Sequence, residues 1–203
     1  AIEWDGEMAV QAVIEDITDR VELEKELAYK ASHDSLTGLL NRDAIYQWVE
    51  AQAHQQNTLA CMMLDVDNFK SVNDQHGHLT GDDMLRNIAN LCQQVISNHG
   101  VTGRWGGEEF VIFLSNVHLQ QAIELAEELR QRCESFACSS AEENIQRTVS
   151  IGISVYQENI SLADQAQNAN QLIKHLVSLA DKSLYQAKSQ GKNKVVTAYD
   201  LDS

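Results

Sequence analysis

The stretch Arg104-Trp105-Gly106-Gly107-Glu108-Glu109-Phe110, running on into Val111-Ile112-Phe113-Leu114, decides how the rest of the chain is read. Two adjacent glycines accept the φ > 0 conformations of a two-residue turn, and apolar residues flank them. The segment therefore predicts a tight β-hairpin with Glu108 and Glu109 at its tip. Neighbouring acids repel, and a proton or cation beside them relieves the repulsion; a divalent metal with a phosphate substrate is the natural occupant. The competing interpretation is a solvated turn that happens to carry two glutamates, because turns are commonly charged.

Upstream of the hairpin, Leu59, Ala60, Cys61, Met62, Met63 and Leu64 form a continuous apolar run that ends at Asp65 and Val66, the pattern of a central strand covered on both faces. Strand ends beside loops are where rigid scaffolds present reactive side chains. In an extended chain Asp65 and Asp67 fall on one side, where two carboxylates can converge on a metal; a capping or turn role serves either one equally well. Asn73 and Asp82 follow, on either side of Gly77 and Gly81. Guanine offers N1–H and N2–H₂ donors to a carboxylate and O6 and N7 acceptors to an amide, so this pair suits that base. His76-Gly77-His78 suggests a metal site only weakly, since no further ligand lies at a conventional spacing.

The remaining periodicities place helices over 43–54, over about fifteen residues that Gly77, Gly81, Asp82 and Asp83 lead into, over 118–135 and over 172–190, the last ended by Gly191. Strands are expected at 147–155 and 194–198, and 159–171 reads as a loop or a loosely formed helix entry. Helices alternate with strands, but an antiparallel hairpin interrupts them. The fold class expected is α+β, with a central sheet of the ferredoxin-like or palm type rather than a doubly wound parallel sheet. At the N-terminus, residues 1–17 read as two short strands around Asp5-Gly6, the second continuing through Val10, Val13 and Ile14. A lone hairpin is marginal in water, so this piece looks like the end of a larger domain. Thr18 or Asp19 caps a helix from near Arg20, and Ile17, Val21, Glu24, Ala28 and Ala31 give a weak coiled-coil seam.

A net charge of −15 argues against coating nucleic acid or an anionic membrane, both of which require Lys and Arg; an anionic ligand needs a locally basic or metal-bridged site. No apolar run long enough to span a bilayer is present, and Glu3, Asp5 and Glu7 interrupt anything resembling a signal peptide. Cys61, Cys92, Cys133 and Cys138 form no C-x-x-C pair and read as buried thiols of a reducing, cytoplasmic compartment.

Taken together, His33-Asp34-Ser35-Leu36-Thr37-Gly38-Leu39-Leu40-Asn41-Arg42, the span from Asp65 to Asp82, the hairpin Gly106-Gly107-Glu108-Glu109-Phe110, the strand Ser150-Ile151-Gly152-Ile153-Ser154 and the span from Ala180-Asp181 to Asn193 resemble the GGDEF-domain diguanylate cyclases in order and spacing. The resemblance runs from Ala31 to near Ala198 and is to the GGEEF variant. It implies a class III nucleotidyl-cyclase-like palm and the condensation of two GTP into cyclic di-GMP with release of pyrophosphate, by two domains facing each other as a homodimer.

Position by position, the resemblance implies Mg²⁺, with Mn²⁺ as a substitute, on Asp65, Glu108 and the Val66 carbonyl. Glu108 is then also the general base, and Glu109 a second metal or positioning carboxylate. Asn73, His78 and Asp82 match positions that hold the guanine or its nucleoside, and the backbone at Phe69 and Lys70 matches the turn that cradles phosphates. Lys188 and Lys192 match the basic pair that grips the β- and γ-phosphates, the second more often Arg in the family; Lys keeps the charge and loses the bidentate fork.

An Arg-x-x-Asp product-inhibition motif has no counterpart in Ser97-Asn98-His99-Gly100, which leaves Arg104 nearby to hold one phosphate. Residues 1–17 resemble the end of a PAS sensor domain and 18–31 a signalling helix, leaving 32–203 as the GGDEF domain and implying control by an upstream sensor. The alternative from another class is a catalytically inactive module that binds GTP or a partner protein; retention of both hairpin glycines and both acids argues for catalysis.

Overall fold

In a computed structural model the described residues are 2–4, 7–9, 15–53, 58–139, 144–157 and 169–202. They divide at Ala31/Ser32 into two units. In the first, β1 (Ile2–Trp4) pairs antiparallel with β2 (Glu7–Ala9), Ile2 opposite Ala9 and Trp4 opposite Glu7. The expected continuation through Val10, Val13 and Ile14 lies outside the described residues. Helix α1 (Thr18–Ser32) buries no side chain. Its surface carries the pairs Arg20–Glu24 and Lys30–Glu26 at i,i+4 spacing, which favour a solvated helix.

The second unit runs α2 (Arg42–Ala53), β3 (Thr58–Val66), α3 (Phe69–His76), α4 (His78–Ile96), β4 (Gly100–Gly106), β5 (Glu109–Ser115), α5 (Leu119–Ser135), β6 (Ala137–Ser139), β7 (Asn144–Gln146), β8 (Val149–Gln157), α6 (Ala169–Ser189) and β9 (Val195–Thr197), then a 3₁₀ turn, Ala198–Asp202. The sheet order is β4-β5-β3-β8-β9, antiparallel except for the β8–β9 pair. Its first four strands keep the ferredoxin-like arrangement, with β3 and β5 side by side in the middle.

The central strand explains the two-layered core. Along β3, side chains alternate between faces, so its apolar run divides in two. Ala60, Met62, Leu64 and Val66 pack with Met84, Leu85 and Ile88 of α4 and Ala126 and Leu129 of α5. Leu59, Cys61 and Met63 face the other way, onto Ile45 and Val49 of α2 and Leu172, Ile173 and Leu176 of α6. Burying apolar area on both faces is what makes the strand's open end rigid enough to carry charged groups.

Several sequence expectations need correction. Residues 69–76, to which the sequence reading assigned no element, form a helix, because Val72 and Phe69 supply a short apolar stripe that packs beside α4. Gly77, at φ +83, is the joint between α3 and α4, and α4 begins at His78, ahead of Gly81. The β6–β7 hairpin was not anticipated, since strands this short carry almost no pattern. Helix α6 starts at Ala169, so the end of the segment read as a loop or helix entry is helix; 158–168 lie outside the described residues. Cys61, Cys92 and Cys133 are buried free thiols, and burial pushes Cys133 up to about 12. Among the described residues, no helix is long and apolar enough to cross a membrane.

Candidate functional site

The site begins at the C-terminal end of β3. Pairing places Asp65 opposite Glu109 of β5 on one side and Ser150 of β8 on the other. The Lys188 ammonium on α6 reaches Asp65 at 2.8 Å. Burial pushes the Asp65 carboxyl above the ordinary carboxylate range, against the pull of Lys188 and with added repulsion from Glu108 and Asp67. Glu109 is raised for a similar set of reasons, burial first and then the Asp65 charge, opposed by Lys188 and reinforced by Asp181 and Glu108. One lysine thus faces several acids, and the end of the strand is short of positive charge.

The hairpin differs from its expected shape. Gly106 pairs with Glu109, with a bulge at Trp105, so the turn is Gly107-Glu108 and only Gly107 takes φ > 0, at +53. The two acids are not both at the tip: Glu108 occupies the turn, while Glu109 lies in the strand beside Asp65. The turn is tied down by Arg104, whose Nε and Nη2 donate to the Gly107 carbonyl at 2.9 and 2.8 Å. Its Nη1 pairs with Asp34 at 3.2 Å. Asp34 in turn accepts from the Thr37 backbone N–H and hydroxyl at 2.9 and 2.7 Å. Arg104, expected to be free for a phosphate, is instead the fastener of the hairpin.

Asp67 also takes another role. Its carboxylate accepts from Ser150 Oγ and Thr148 Oγ1, both at 2.7 Å, and from the Asn193 N–H at 3.0 Å. A buried carboxylate with three donors is satisfied within the fold, so Asp67 is not left to share a metal with Asp65. What Asp67 does is anchor the turn after α6. There the Lys192 N–H donates to the Ala187 carbonyl and the Gly191 N–H to the Lys188 carbonyl, the helix-ending pattern with Gly191 at φ +110. Arg130 and Glu134 hold the Asn193 amide from α5 at 2.8 and 2.7 Å. Fixed from both sides, this turn carries the Lys192 ammonium to the Asn68 side-chain oxygen.

Asn68, at φ +58, turns the chain from β3 into α3, so that Lys70 emerges exposed on the first helical turn while Phe69 is buried. On the next turn, Asn73 lies flat across Gly81: a Cβ at position 81 would sit 2.0 Å from Asn73 Oδ1. The missing side chain is what lets the amide come over α4 next to Asp82. His78 is exposed at the start of α4.

The structure therefore gathers Asp65, Val66, Glu109, Lys188, Lys192 and the Asn68–Lys70 turn at one end of the sheet, with Glu108 on the hairpin and the Asn73–Asp82 pair on the adjoining helices. His76 and His78 belong to different helices and, like the rest of the described residues, form no group of three metal-binding side chains. A magnesium ion still fits the Asp65 end, because such ions are held by one or two carboxylates together with substrate oxygens rather than by a protein cage, and the donors are hard oxygens lacking a counter-charge. Sequence reasoning missed Asp181 and the fastening role of Asp34. Asp181 was detectable, seven residues before Lys188 and so on the same helical face; the Asp34–Arg104 pair spans seventy residues and left no local signal.

The position of Ser97 and Gly100 is a cavity of about 370 Å³ lined also by His33, Gln93 and Thr102, with no arginine or acid in its wall.

The family model described as "Diguanylate cyclase, GGDEF domain" matches residues 31–194. A diguanylate cyclase of Vibrio cholerae serotype O1 is 38% identical over 185 residues, covering 88% of this chain and 53% of that protein. Diguanylate cyclase DgcM of Escherichia coli K12 is 33% identical over 201 residues, 97% of this chain and 46% of its own. The chain spans about half the length of these curated relatives. Among solved structures, the active GGEEF domain of a diguanylate cyclase from Vibrio cholerae superposes with a TM-score of 0.68 at 34% identity, over 79% of this chain and 97% of that one. The coiled coil and GGDEF domain of DgcB from Caulobacter crescentus, in complex with c-di-GMP, is alike in fold, with a TM-score of 0.77 at 24% identity over 89% of this chain and 93% of that chain.

Proposed function

The chain belongs to the GGDEF-domain family of diguanylate cyclases, and on that premise we propose that it condenses two GTP molecules into cyclic di-GMP, two copies facing each other with one nucleotide each. The observation that carries this reading is the Lys188–Asp65 pair at the open end of β3, with Glu109 opposite and Glu108 on a fastened turn beside it. Lys188 and Lys192 receive the β- and γ-phosphates, and the backbone at Phe69 and Lys70 cradles them. The Asn73 amide and the Asp82 carboxylate read the guanine edge, with His78 at the nucleoside.

The 3′-oxygen of each nucleotide bonds to the α-phosphorus of the other, the bond from that phosphorus to the β-phosphate oxygen breaks, and pyrophosphate leaves. Glu108 accepts the hydroxyl proton. Holding the two nucleotides face to face converts a bimolecular encounter into a positioned one, and the fixed cations stabilise charge on the transferring group. Magnesium, when bound at Asp65, Glu108 and the Val66 carbonyl, supplies charge neutralisation at the phosphates and acidity at the hydroxyl, with Glu109 as a second carboxylate for it.

The division at Ala31/Ser32 and the greater length of the relatives support a modular arrangement in which residues 1–17 end a PAS-type sensor domain and 18–31 connect it to the catalytic unit, so that an upstream signal governs whether two copies meet. Incubating the protein with GTP and Mg²⁺ and separating the products by chromatography tests the activity. Cyclic di-GMP with two pyrophosphates per product is expected, and bound but unconverted GTP would reassign the chain to a regulatory module.

A further inference from the structure

Arg42 opens α2 on the face of the sheet opposite the guanine-reading helices, and nothing above gives it a role. Its guanidinium carbon lies 4.3 Å from the Trp105 ring centroid and 5.8 Å from that of Tyr46. The two rings are themselves stacked, 6.1 Å apart and 12° from parallel. Trp105 is the bulged residue just before the hairpin glycines. A guanidinium lying on an indole is held by its flat face, which leaves its N–H edge free for a planar anion. No carboxylate claims that edge: among the described residues Arg42, like Arg147, has no ion pair, whereas Arg20, Arg86, Arg104, Arg130 and Arg132 each have at least one.

The edge opens on a cavity of about 310 Å³, whose wall includes Arg42, Trp105, Glu109, Lys174, Ser178 and Asp181. Glu109 and Asp181 are shared with the acid cluster around Asp65, and the other wall residues lie outside the proposed substrate site. The chain's own nucleotide has its base on α3 and α4, which pack on the layer containing Leu64 and Val66, and its terminal phosphates on Lys188 and Lys192. Arg42 belongs instead to the layer of Ile45 and Leu176. A phosphoryl group in this cavity, next to Glu109 and one residue from the base Glu108, is therefore a second nucleotide's.

Resting on the reading above, we propose that this cavity receives the α-phosphoryl group of the GTP held by the opposite copy and that Arg42 is a catalytic residue acting in trans. Glu108 and Arg42 of one chain then serve the same new bond: Glu108 takes the proton from its own nucleotide's 3′-hydroxyl, that oxygen bonds to the partner nucleotide's α-phosphorus, and pyrophosphate departs. Arg42 faces the negative charge gathering on the equatorial oxygens, a position where a donor is worth about 10²- to 10³-fold in rate. Two such half-sites, related by a two-fold axis, make the cyclic product.

The test uses the Arg42→Ala and Arg42→Lys variants and a double variant, Arg42→Ala with Glu108→Ala. The first should lose about 10²-fold in turnover at saturating GTP while binding 3′-deoxy-GTP within about two-fold of the unmodified protein. Arg42→Lys, which keeps the charge and disturbs packing least, should fall between. When the double variant is mixed in excess with unmodified chain, each mixed pair retains Glu108 and Arg42 together on one chain. One bond should form and the linear dinucleotide triphosphate accumulate. If Arg42 served its own chain's nucleotide, the mixed pair would form neither bond and only residual cyclic product would appear, which overturns the proposal. Unchanged turnover for Arg42→Ala, or a parallel loss of nucleotide affinity, overturns it as well. In each of these results the unmodified protein still makes cyclic di-GMP; if it makes none, the proposed function falls too.

Discussion

Replacing Gly81 by alanine tests the base-reading role proposed for Asn73 and Asp82, at the point where Asn73 crosses α4. The new Cβ would sit 2.0 Å from Asn73 Oδ1, 3.1 Å from Asn73 Cγ and 3.1 Å from Phe69 Cζ. The first separation is far inside any real contact, so the Asn73 amide must rotate away, and Phe69, buried in the core, can give little. No hydrogen bond of the Asn73 side chain is lost, and alanine favours a helix interior over glycine by about 1 kcal/mol. The strain and the propensity gain oppose each other, and stability should change by less than about 1 kcal/mol.

Binding responds differently. An amide moved off the guanine edge leaves that edge without its partner, at a cost of about 1 to 3 kcal/mol, which is about 5- to 150-fold in affinity. Calorimetry with 3′-deoxy-GTP and Mg²⁺ reads this directly, and the same titration with ATP reads selectivity, which should narrow. A Gly81→Ala protein that melts normally and binds GTP as tightly as the unmodified chain would show that Asn73 does not read the base.

Asp65→Ala and Glu108→Ala should each lower turnover by about 10²-fold or more, through lost stabilisation of charge in the transition state, with melting temperatures little changed; near-normal cyclic di-GMP production by either would remove that residue from the site. Arg104→Ala releases the Gly107 carbonyl and Asp34, so turnover should fall about ten-fold or more while affinity for 3′-deoxy-GTP holds, since the hairpin rather than the binding helices is loosened; equal losses in both would mean that Arg104 touches the nucleotide. Glu109→Gln removes a carboxylate whose pKa is raised on folding, a group whose ionisation costs the folded state stability as pH rises from the unfolded value through the folded one. The metal-free variant should therefore melt higher than the unmodified protein at neutral pH and equally below the ordinary carboxylate range; an advantage that persists at low pH would rule out charge as its cause. Added cyclic di-GMP should inhibit weakly, because Ser97 and Gly100 offer no bidentate cation, and Ser97→Arg should strengthen the inhibition, Gly100 being closed to any side chain by the Phe113 backbone carbonyl 1.9 Å from where its Cβ would sit; potent inhibition of the unmodified chain would reveal another product site.

How far the sequence could be read depended on whether a signal was local. The buried run at 59–66 and the apolar spacings of α2, α5 and α6 are repeated within one element, and periodicity finds such patterns. Asp65, Lys188 and Lys192 were each legible as candidates through the order of motifs. The fate of Asp67 was not, because it is decided by Thr148, Ser150 and Asn193, which the fold brings to it from β8 and from beyond α6. Arg104 was misread for the same reason. A free guanidinium and a fastened one have identical sequence neighbourhoods, and only the return of Asp34 to the hairpin tells them apart. The α3 helix was missed because its stripe is two residues wide and its terminus is a left-handed asparagine rather than a side-chain cap.

The same distinction between paired and unpaired cations gives a chain of net charge −15 a place for the triphosphate proposed as its substrate. Most arginines are matched along the helices by their own acids, Arg86 with Asp83, Arg130 with Glu127 and Glu134, Arg132 with Glu128. The exposed pairs of Arg86 and Arg132 contribute little to stability, and all of these pairs cancel each other's field. At the end of the sheet the balance is set differently: Lys188 is shared between Asp65 and whatever anion approaches, Lys192 touches only a neutral amide oxygen, and Lys70 is exposed. An arriving polyanion with its divalent ion exchanges one partner of Lys188 for another and brings the positive charge that Asp65 and Glu109 lack. Net charge therefore says which surfaces a polyanion will avoid, and the local ratio of lysine to carboxylate says where it can bind only together with a metal.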